Sequence, residues 1–223
     1  MLQQLISVFL ESQCPFCDRV AYPQGNRTTP QTICQYCFDK LSSHQLKQRD
    51  RRSWWGDLPV FAWGSYEGQL KRAIALMKYN DRPEIGILLG ELLALAWLKY
   101  NPIEYSKISV IPIPLHRDKL EDRGFNQAEK IARGFCRLTR YSLDNRTLIR
   151  VKTTQAMFNL SPEERLENLQ GAFKLNKKLP KHPVLLLDDI YTMGTTVKEA
   201  AQVLRRNRVR VIGSIVAAKV KQY

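Results

Sequence analysis

The sequence predicts an α/β fold, a parallel sheet flanked by helices, carried behind a small cysteine-rich module. Three observations predict it. Short apolar runs rich in β-branched residues alternate with stretches whose apolar positions recur at helical spacing. The run Val184 to Leu187 is apolar at every position, as in a strand buried on both faces of a parallel sheet. Four of the five cysteines fall before residue 45, ahead of the basic, polar run Lys47 to Ser53. A chain of 223 residues holds one full α/β domain with something small beside it, since domains run ~100 to 200 residues. The boundary therefore falls near residue 50, with 1–50 as the module and 51–223 as the larger domain.

In order along the chain, Leu2, Leu5, Ile6, Phe9 and Leu10 recur at helical spacing. No basic leader or small-residue cleavage site accompanies them, so this stretch is not read as a signal peptide and the chain is expected in the cytoplasm. Val60 to Tyr66 reads as a strand, and Gly68 to Tyr79 as a helix with Leu70, Ile74 and Met77 on one face. Glu84 to Lys99 is a second helix. Its apolar stretch, Ile85 to Leu98, is too short to span a bilayer and carries Glu91 between Pro83 and Pro102, so it reads as a buried core helix with no membrane insertion.

Ile108 to Ile113 is a β-branched strand stopped by Pro112 and Pro114. Asn126 to Leu138 is a helix with Ala128, Ile131, Ala132, Phe135 and Leu138 in one stripe, beside which Cys136 reads as a buried packing thiol. Leu148 to Val151 reads as a short strand. Ser161, Pro162 and Glu164 supply an N-cap, a first-turn proline and a capping-box acid for a helix ending near Leu169. The Val184 strand, a helix with Val197, Ala200, Ala201 and Leu204, and a last strand from Val211 to Ala218 complete a right-handed βαβ unit.

Composition narrows the classes of function. Hydrophobic residues at 44% and charged residues at 25% exclude a disordered or fibrous chain. Thirty-five Lys and Arg against 21 Asp and Glu leave +14, which makes nucleic acid, phosphorylated metabolites or acidic membranes suitable partners without choosing among them.

Cys14, Cys17, Cys34 and Cys37 form two C-x2-C pairs at a separation typical of zinc sites. Four thiolates close a tetrahedral shell and leave no position for water, so such a Zn2+ is structural. Two disulfides are the alternative, suited to an oxidising compartment.

The segment LLLDDIYTMGTT, Leu185 to Thr196, ends a buried strand in two acids and opens a helix through a short hydroxyl- and glycine-containing turn. Ligands of open α/β sheets bind at this strand end. The backbone N–H groups of Thr192 to Thr196 and the positive end of the helix suit a phosphate, and Gly194 permits close backbone approach. Asp188 and Asp189, one step earlier, suit vicinal sugar hydroxyls or Mg2+. The competing reading is purely local, with Thr196 and Glu199 as a T-x-x-E capping box. The segment resembles the 5-phosphoribosyl 1-pyrophosphate (PRPP) signature of type I phosphoribosyltransferases over the strand, both acids, Thr192, Gly194 and Thr196. Met193 stands where that signature has a second hydroxyl, and one hydrogen bond to a charged group is worth ~1.5 to 3 kcal/mol.

His116 to Gln127 follows the Ile108 strand and puts Arg117, Lys119 and Arg123 on what reads as a mobile loop. These cations either reach a pyrophosphate at the same sheet edge or are merely solvated. Lys78 offers another cation at the end of its helix. His44, His116 and His182 have no partner pattern for nucleophilic or metal chemistry.

With the four cysteines, FAWGSYEG, the pair Lys78–Tyr79, IPIPLHRDKLEDRGFNQA, the stretch Gln155 to Phe173 and LLLDDIYTMGTT, nearly the whole chain resembles the ComF family, also called ComFC-like or GntX-like. The resemblance implies a zinc-ribbon-like N-terminus, a type I phosphoribosyltransferase-like fold, and a role in natural transformation alongside single-stranded DNA and other competence proteins. It further implies Asp188 and Asp189 on the ribose and its magnesium. Thr192, Gly194, Thr195 and Thr196 would take the 5-phosphate, with Met193 among them, and Arg117 and Lys119 the pyrophosphate side.

Two functions stay open, beside a soluble scaffold with neither activity. One is a phosphoribosyl transfer to an unidentified acceptor. The other is non-enzymatic handling of single-stranded DNA through the zinc module, Lys47 to Arg52 and Arg205 to Arg210, with PRPP as regulator or relic.

Overall fold

The computed structural model describes residues 13–20, 33–53, 58–100, 105–153, 169–176 and 179–220. The expected helices near Met1 to Leu10 and after Ser161 lie outside the described residues, apart from Leu169 at the end of the second.

Eight strands are described: β1 (Arg52–Ser53), β2 (Val60–Ser65), β3 (Ser109–Pro112), β4 (Ser142–Leu143), β5 (Leu148–Arg150), β6 (Phe173–Leu175), β7 (Val184–Tyr191) and β8 (Val211–Lys219). Six of them form one sheet in the order β1-β2-β8-β7-β3-β4. From β2 to β4 every neighbouring pair is parallel, and β1 closes the edge antiparallel to β2. Strands β5 and β6 pair separately as an antiparallel ribbon.

The helices are α1 (Gln35–Ser42), α2 (Gly68–Tyr79), α3 (Pro83–Tyr100), α4 (Arg117–Arg123), α5 (Gln127–Thr139) and α6 (Thr195–Arg206). The α/β class and the principal strands and helices expected from periodicity are therefore present.

Strand β7 sits inside the sheet, and its alternation explains its unbroken apolar run. Leu185 and Leu187 join the core under α2, α3 and α5, whereas Val184 and Leu186 join the core under α6, with Val197, Ala200, Ala201 and Leu204. A strand covered on both faces has no polar side to show.

The same logic accounts for α3, apolar nearly all round because it lies between the sheet and α5. At Gly90 an added Cβ would strike the Ile131 carbonyl, and at Gly134 the Ile87 carbonyl, so α3 and α5 meet backbone to backbone. Phe61, Trp97 and Phe135 fill the layer beneath, Phe61 and Trp97 edge to face with centroids 5.2 Å apart, a favoured aromatic geometry.

The cysteine module shares this core. Cys14, Phe16, Ile33, Cys37 and Leu41 are buried in one cluster with Phe61, Trp63 and Leu70. Its exit is tied down by backbone bonds, with Leu46 N–H donating to Trp63 O (3.0 Å) and Ser65 N–H to His44 O (2.9 Å). His44 is structural, as expected, and its Nε2 accepts from Gln69 N–H at 3.1 Å.

One expectation fails. His116 to Gln127 is no mobile loop: Arg117–Arg123 is a helix, with Asp118 N–H donating to the His116 side chain at its start and left-handed Gly124 at its end. No residue of this helix is buried, so it has no apolar stripe for a periodicity argument to find.

Candidate functional site at the carboxyl edge of the sheet

The last turn of β7 carries the acids. Asp189 faces α2, and Lys78, in the last turn of that helix, places its ammonium 2.5 Å from Asp189 Oδ2. Both side chains are nearly enclosed, at 17% and 7% exposure. The other oxygen, Oδ1, accepts from Ile190 N–H at 2.9 Å. Burial pulls the Lys78 pKa down, but the charge of Asp189 outweighs it and the net shift is upward.

Asp188 is half-buried, and its Oδ1 accepts from Asp189 N–H at 2.8 Å. Desolvation first, and the adjacent Asp189 charge second, hold its carboxyl well above the ordinary carboxylate range.

Beyond Tyr191 the chain turns through exposed Thr192 and Met193 into Gly194, whose φ of 75° is left-handed. An added Cβ at Gly194 would strike the tip of the Tyr191 ring, which folds back over it. Gly194 is the N-cap of α6, with Thr195 and Thr196 in the first turn. Among the described residues no acceptor engages the Thr195 or Thr196 N–H, so both are available to an oxyanion at the helix's positive end.

The capping-box alternative is not formed. The helix begins before Thr196, and the Glu199 carboxylate accepts instead from Gly171 N–H at 3.2 Å.

Cations surround the acids. Arg123 in α4 lies over the Tyr79 ring (5.9 Å) and is close enough to Lys78 to depress its pKa. Arg150, at the end of β5, stacks on Phe173 (5.5 Å); burial lowers its pKa while the charge of Asp188 resists. Lys119 is lowered by burial and then by Arg150 and Arg123. Lys78, Lys119, Arg123 and Arg150 thus sit within electrostatic reach of one another or of the two acids.

Arg117 is not brought in, because it is exposed and pairs with Glu121 at 2.7 Å. Arg150 is the residue that sequence reasoning missed. Its only signal was its place at the end of a short strand beside an apolar partner.

The stretch Arg123 to Gln127 proves to be a joint. Arg123 Nη1 donates to buried Gln127 Oε1 at 2.7 Å. Asn126 caps α5 by accepting from Ala128 N–H (2.9 Å) and donates to Ile113 O (3.0 Å), tying the helix to the end of β3. The motif fixes the floor from which α4 presents its cations.

The second candidate centre is the thiol cluster. The Sγ atoms of Cys14, Cys17, Cys34 and Cys37 all lie within 4.8 Å of one another. Cys17 and Cys34 lie 3.7 Å apart, the separation of two thiolates on one tetrahedral zinc and far beyond the bond length of a disulfide. All four thiols are free, so the disulfide alternative is not formed. They can hold a zinc ion. Burial raises the Cys14 and Cys37 pKa values; at Cys17 burial acts the same way but the Arg19 backbone and neighbouring thiols bring it down. Cys136 stands apart, its thiol pushed up to about 12 by burial, as befits a packing residue.

The fold and these two centres define an α/β protein with two acids and a glycine turn at the carboxyl edge of its parallel sheet and a four-thiol module packed into the same core. The chain belongs to the competence protein F (ComF) family. It is 31% identical over 190 residues to competence protein F of Haemophilus influenzae, covering 80% of this chain and 81% of that one. It is 29% identical over 199 residues to the DNA utilization protein YhgH of Shigella flexneri (87% and 84% covered). Competence protein ComFC of Bacillus subtilis is 25% identical over 191 residues (86% and 70% covered). No family model matches the chain. Among the described residues no helix is long and apolar enough to cross a membrane.

Proposed function

We propose that the carboxyl edge binds PRPP with Mg2+, in a cytoplasmic protein that acts on DNA during natural transformation. The turn Thr192 to Thr196 takes the 5-phosphate on backbone N–H groups. Asp188 faces the ribose hydroxyls and metal, while Asp189, held by Lys78 and the Ile190 N–H, fixes the strand end that carries it. Lys119, Arg123 and Arg150 balance the pyrophosphate, with Lys78 engaged by Asp189 and Arg117 joining once released from Glu121. What supports this most is one juxtaposition: a half-buried and a buried acid near the end of an inner parallel strand, a few residues before a left-handed glycine that opens a helix with unengaged N–H groups. The DNA part rests on the names of the similar proteins, which concern competence and DNA utilization.

If the site turns over, an acceptor nucleophile forms a bond to the ribose anomeric carbon as the bond to pyrophosphate breaks. The cation cluster would stabilise the charge on the departing group. A second use of the same site fits the relatives' names, which concern competence and DNA utilization and name no reaction: the bound ligand would regulate DNA handling without turnover. Calorimetry with PRPP and MgCl2 tests the binding: heat is expected with the wild type and none with Asp188→Asn/Asp189→Asn. A silent wild-type titration overturns the proposal. Release of pyrophosphate, measured with candidate acceptors, separates the two uses.

A further inference from the structure

The opposite edge of the sheet is built for a different ligand. Helices α3, α5 and α6 run back across the parallel strands, so their C-terminal ends and the chain segments entering β3, β4, β7 and β8 converge at the amino edge. Backbone bonds fix the order of those segments: Val184 N–H donates to Arg210 O (2.8 Å), Ser109 N–H to Pro183 O (2.9 Å) and Ser142 N–H to Ile108 O (3.0 Å). Arg210, Lys181, Lys107 and Arg140 therefore follow one another across four adjacent strands, a row of about 14 Å at ~4.8 Å per strand. Arg206 and Arg208 extend it past the end of α6, and all six residues are exposed.

Charge is segregated here. Among the described residues none of these six forms an ion pair. The carboxylates of the same elements lie elsewhere: Asp188 and Asp189 at the other end of β7, and Glu129 and Glu199 in the opening halves of α5 and α6. Asp144 turns onto the N–H groups of Arg146 and Thr147, and Glu91 pairs with Arg137. Compensation of a helix dipole explains a cation such as Arg206 in the last turn of α6. It does not explain Lys107, Lys181, Arg208 and Arg210, which lie between elements. Arg210 is also backed by the Tyr105 ring, its guanidinium 5.2 Å from the centroid, an arrangement suited to phosphate contact and base stacking.

We infer that this amino edge is the surface on which a single nucleic-acid strand lies, engaged through its phosphates. The inference builds on the DNA role just proposed and adds where the strand goes and that it does not compete with PRPP. Strand β7 runs the full depth of the sheet from Val184 to Tyr191. At roughly 3.3 Å of rise per residue its two ends lie more than about 20 Å apart, so the two ligands occupy opposite edges. The run Lys47 to Arg52, expected from sequence to share this task, is not part of the row. Within it Arg51 is 4% exposed beneath the Tyr100 ring, and Arg49 pairs with Asp50.

The test is fluorescence anisotropy with a labelled oligothymidine across about 50 to 200 mM salt. Lys181→Gln/Arg208→Gln/Arg210→Gln is expected to weaken binding at least about tenfold at the low-salt end and to flatten the log–log salt slope by about 2, at ~0.7 per lost contact. Arg206→Gln alone, on an exposed helix end, flattens it by about 0.7. The control Lys40→Gln/Lys47→Gln/Arg49→Gln, which removes the same charge elsewhere, binds as wild type. Equal loss in both triple variants, no binding by wild type, or preference of wild type for phosphatidylserine vesicles over the oligonucleotide overturns the inference. So does competition by saturating PRPP and MgCl2. Calorimetry keeps the two readings apart: a protein that binds the oligonucleotide through the row but gives no heat with PRPP overturns the ligand proposal and leaves this one standing.

Discussion

The Lys78 ammonium lies 2.5 Å from Asp189 Oδ2, and this buried ion pair fastens the end of α2 to the strand that carries both acids. A pair so enclosed costs desolvation of both partners, and removing one leaves the other buried and uncompensated.

Lys78→Met is accordingly expected to destabilise the fold by about 3 to 5 kcal/mol, whereas Lys78→Met/Asp189→Leu costs less than the single change. Urea unfolding of the two variants measures both. The folded Lys78 pKa is raised, so the stabilisation from this group is complete at neutral pH. It is lost only as pH climbs through the raised lysine value in the alkaline range.

Asp188 behaves in the opposite way. Its folded pKa is raised, so the folded state holds the proton more tightly than the unfolded chain does. Stability from this group is complete in acid and falls as pH rises through the raised value. Asp188→Asn is therefore expected to raise the melting temperature at pH 7 while abolishing PRPP binding. Thermal melts at pH 5 and pH 7 check it: the gain over wild type is larger at the higher pH. A lower melting temperature at both would show that Asp188 is held by contacts that favour its charge.

The four thiols predict a zinc dependence that reaches the main core. Because Cys14 and Cys37 are buried in the cluster that includes Leu70 and Trp63, loss of metal exposes apolar surface of the α/β domain as well as the module. The purified chain is expected to carry about one zinc, and Cys34→Ser to lose it with a fall in melting temperature of several degrees. Metal analysis and melting with and without chelator check both. Acid releases the ion, since the ligands must be thiolates.

How much was legible in the sequence depends on what each residue's neighbours demand. Strand β7, helix α3 and the turn after Tyr191 could be read because burial on two faces, a continuous apolar helix and a glycine after two acids each leave a local mark. The carboxyl-edge cations could not all be read. Arg150 joins the site only because β5 pairs with β6, a strand well downstream in the chain whose Phe173 sits opposite Arg150. Helix α4 reads as a loop in the sequence because a short segment with no buried residue shows no period. The amino-edge row was illegible for the same reason as Arg150: Arg140, Lys107, Lys181 and Arg210 are far apart in the chain, and only the parallel strand order sets them side by side.

Gly194 tests the proposed oxyanion turn most directly. Its φ is 75°, and the Cβ of alanine there would press on the Tyr191 ring folded over it. Any side chain in that left-handed conformation is strained by about 1 to 2 kcal/mol. Gly194→Ala is expected to lower stability by roughly that amount and to reduce PRPP affinity more than stability, because the backbone shift moves the N–H groups of Thr195 and Thr196 proposed to hold the phosphate. Gly194→Ala/Tyr191→Ala removes the collision but keeps the backbone strain. If the double variant recovers binding by calorimetry, the ring contact is the dominant constraint. If it does not, the left-handed backbone at Gly194 is what shapes the turn. That is the expected result, since the tip of a half-buried tyrosine can swing aside at little cost while a backbone dihedral cannot.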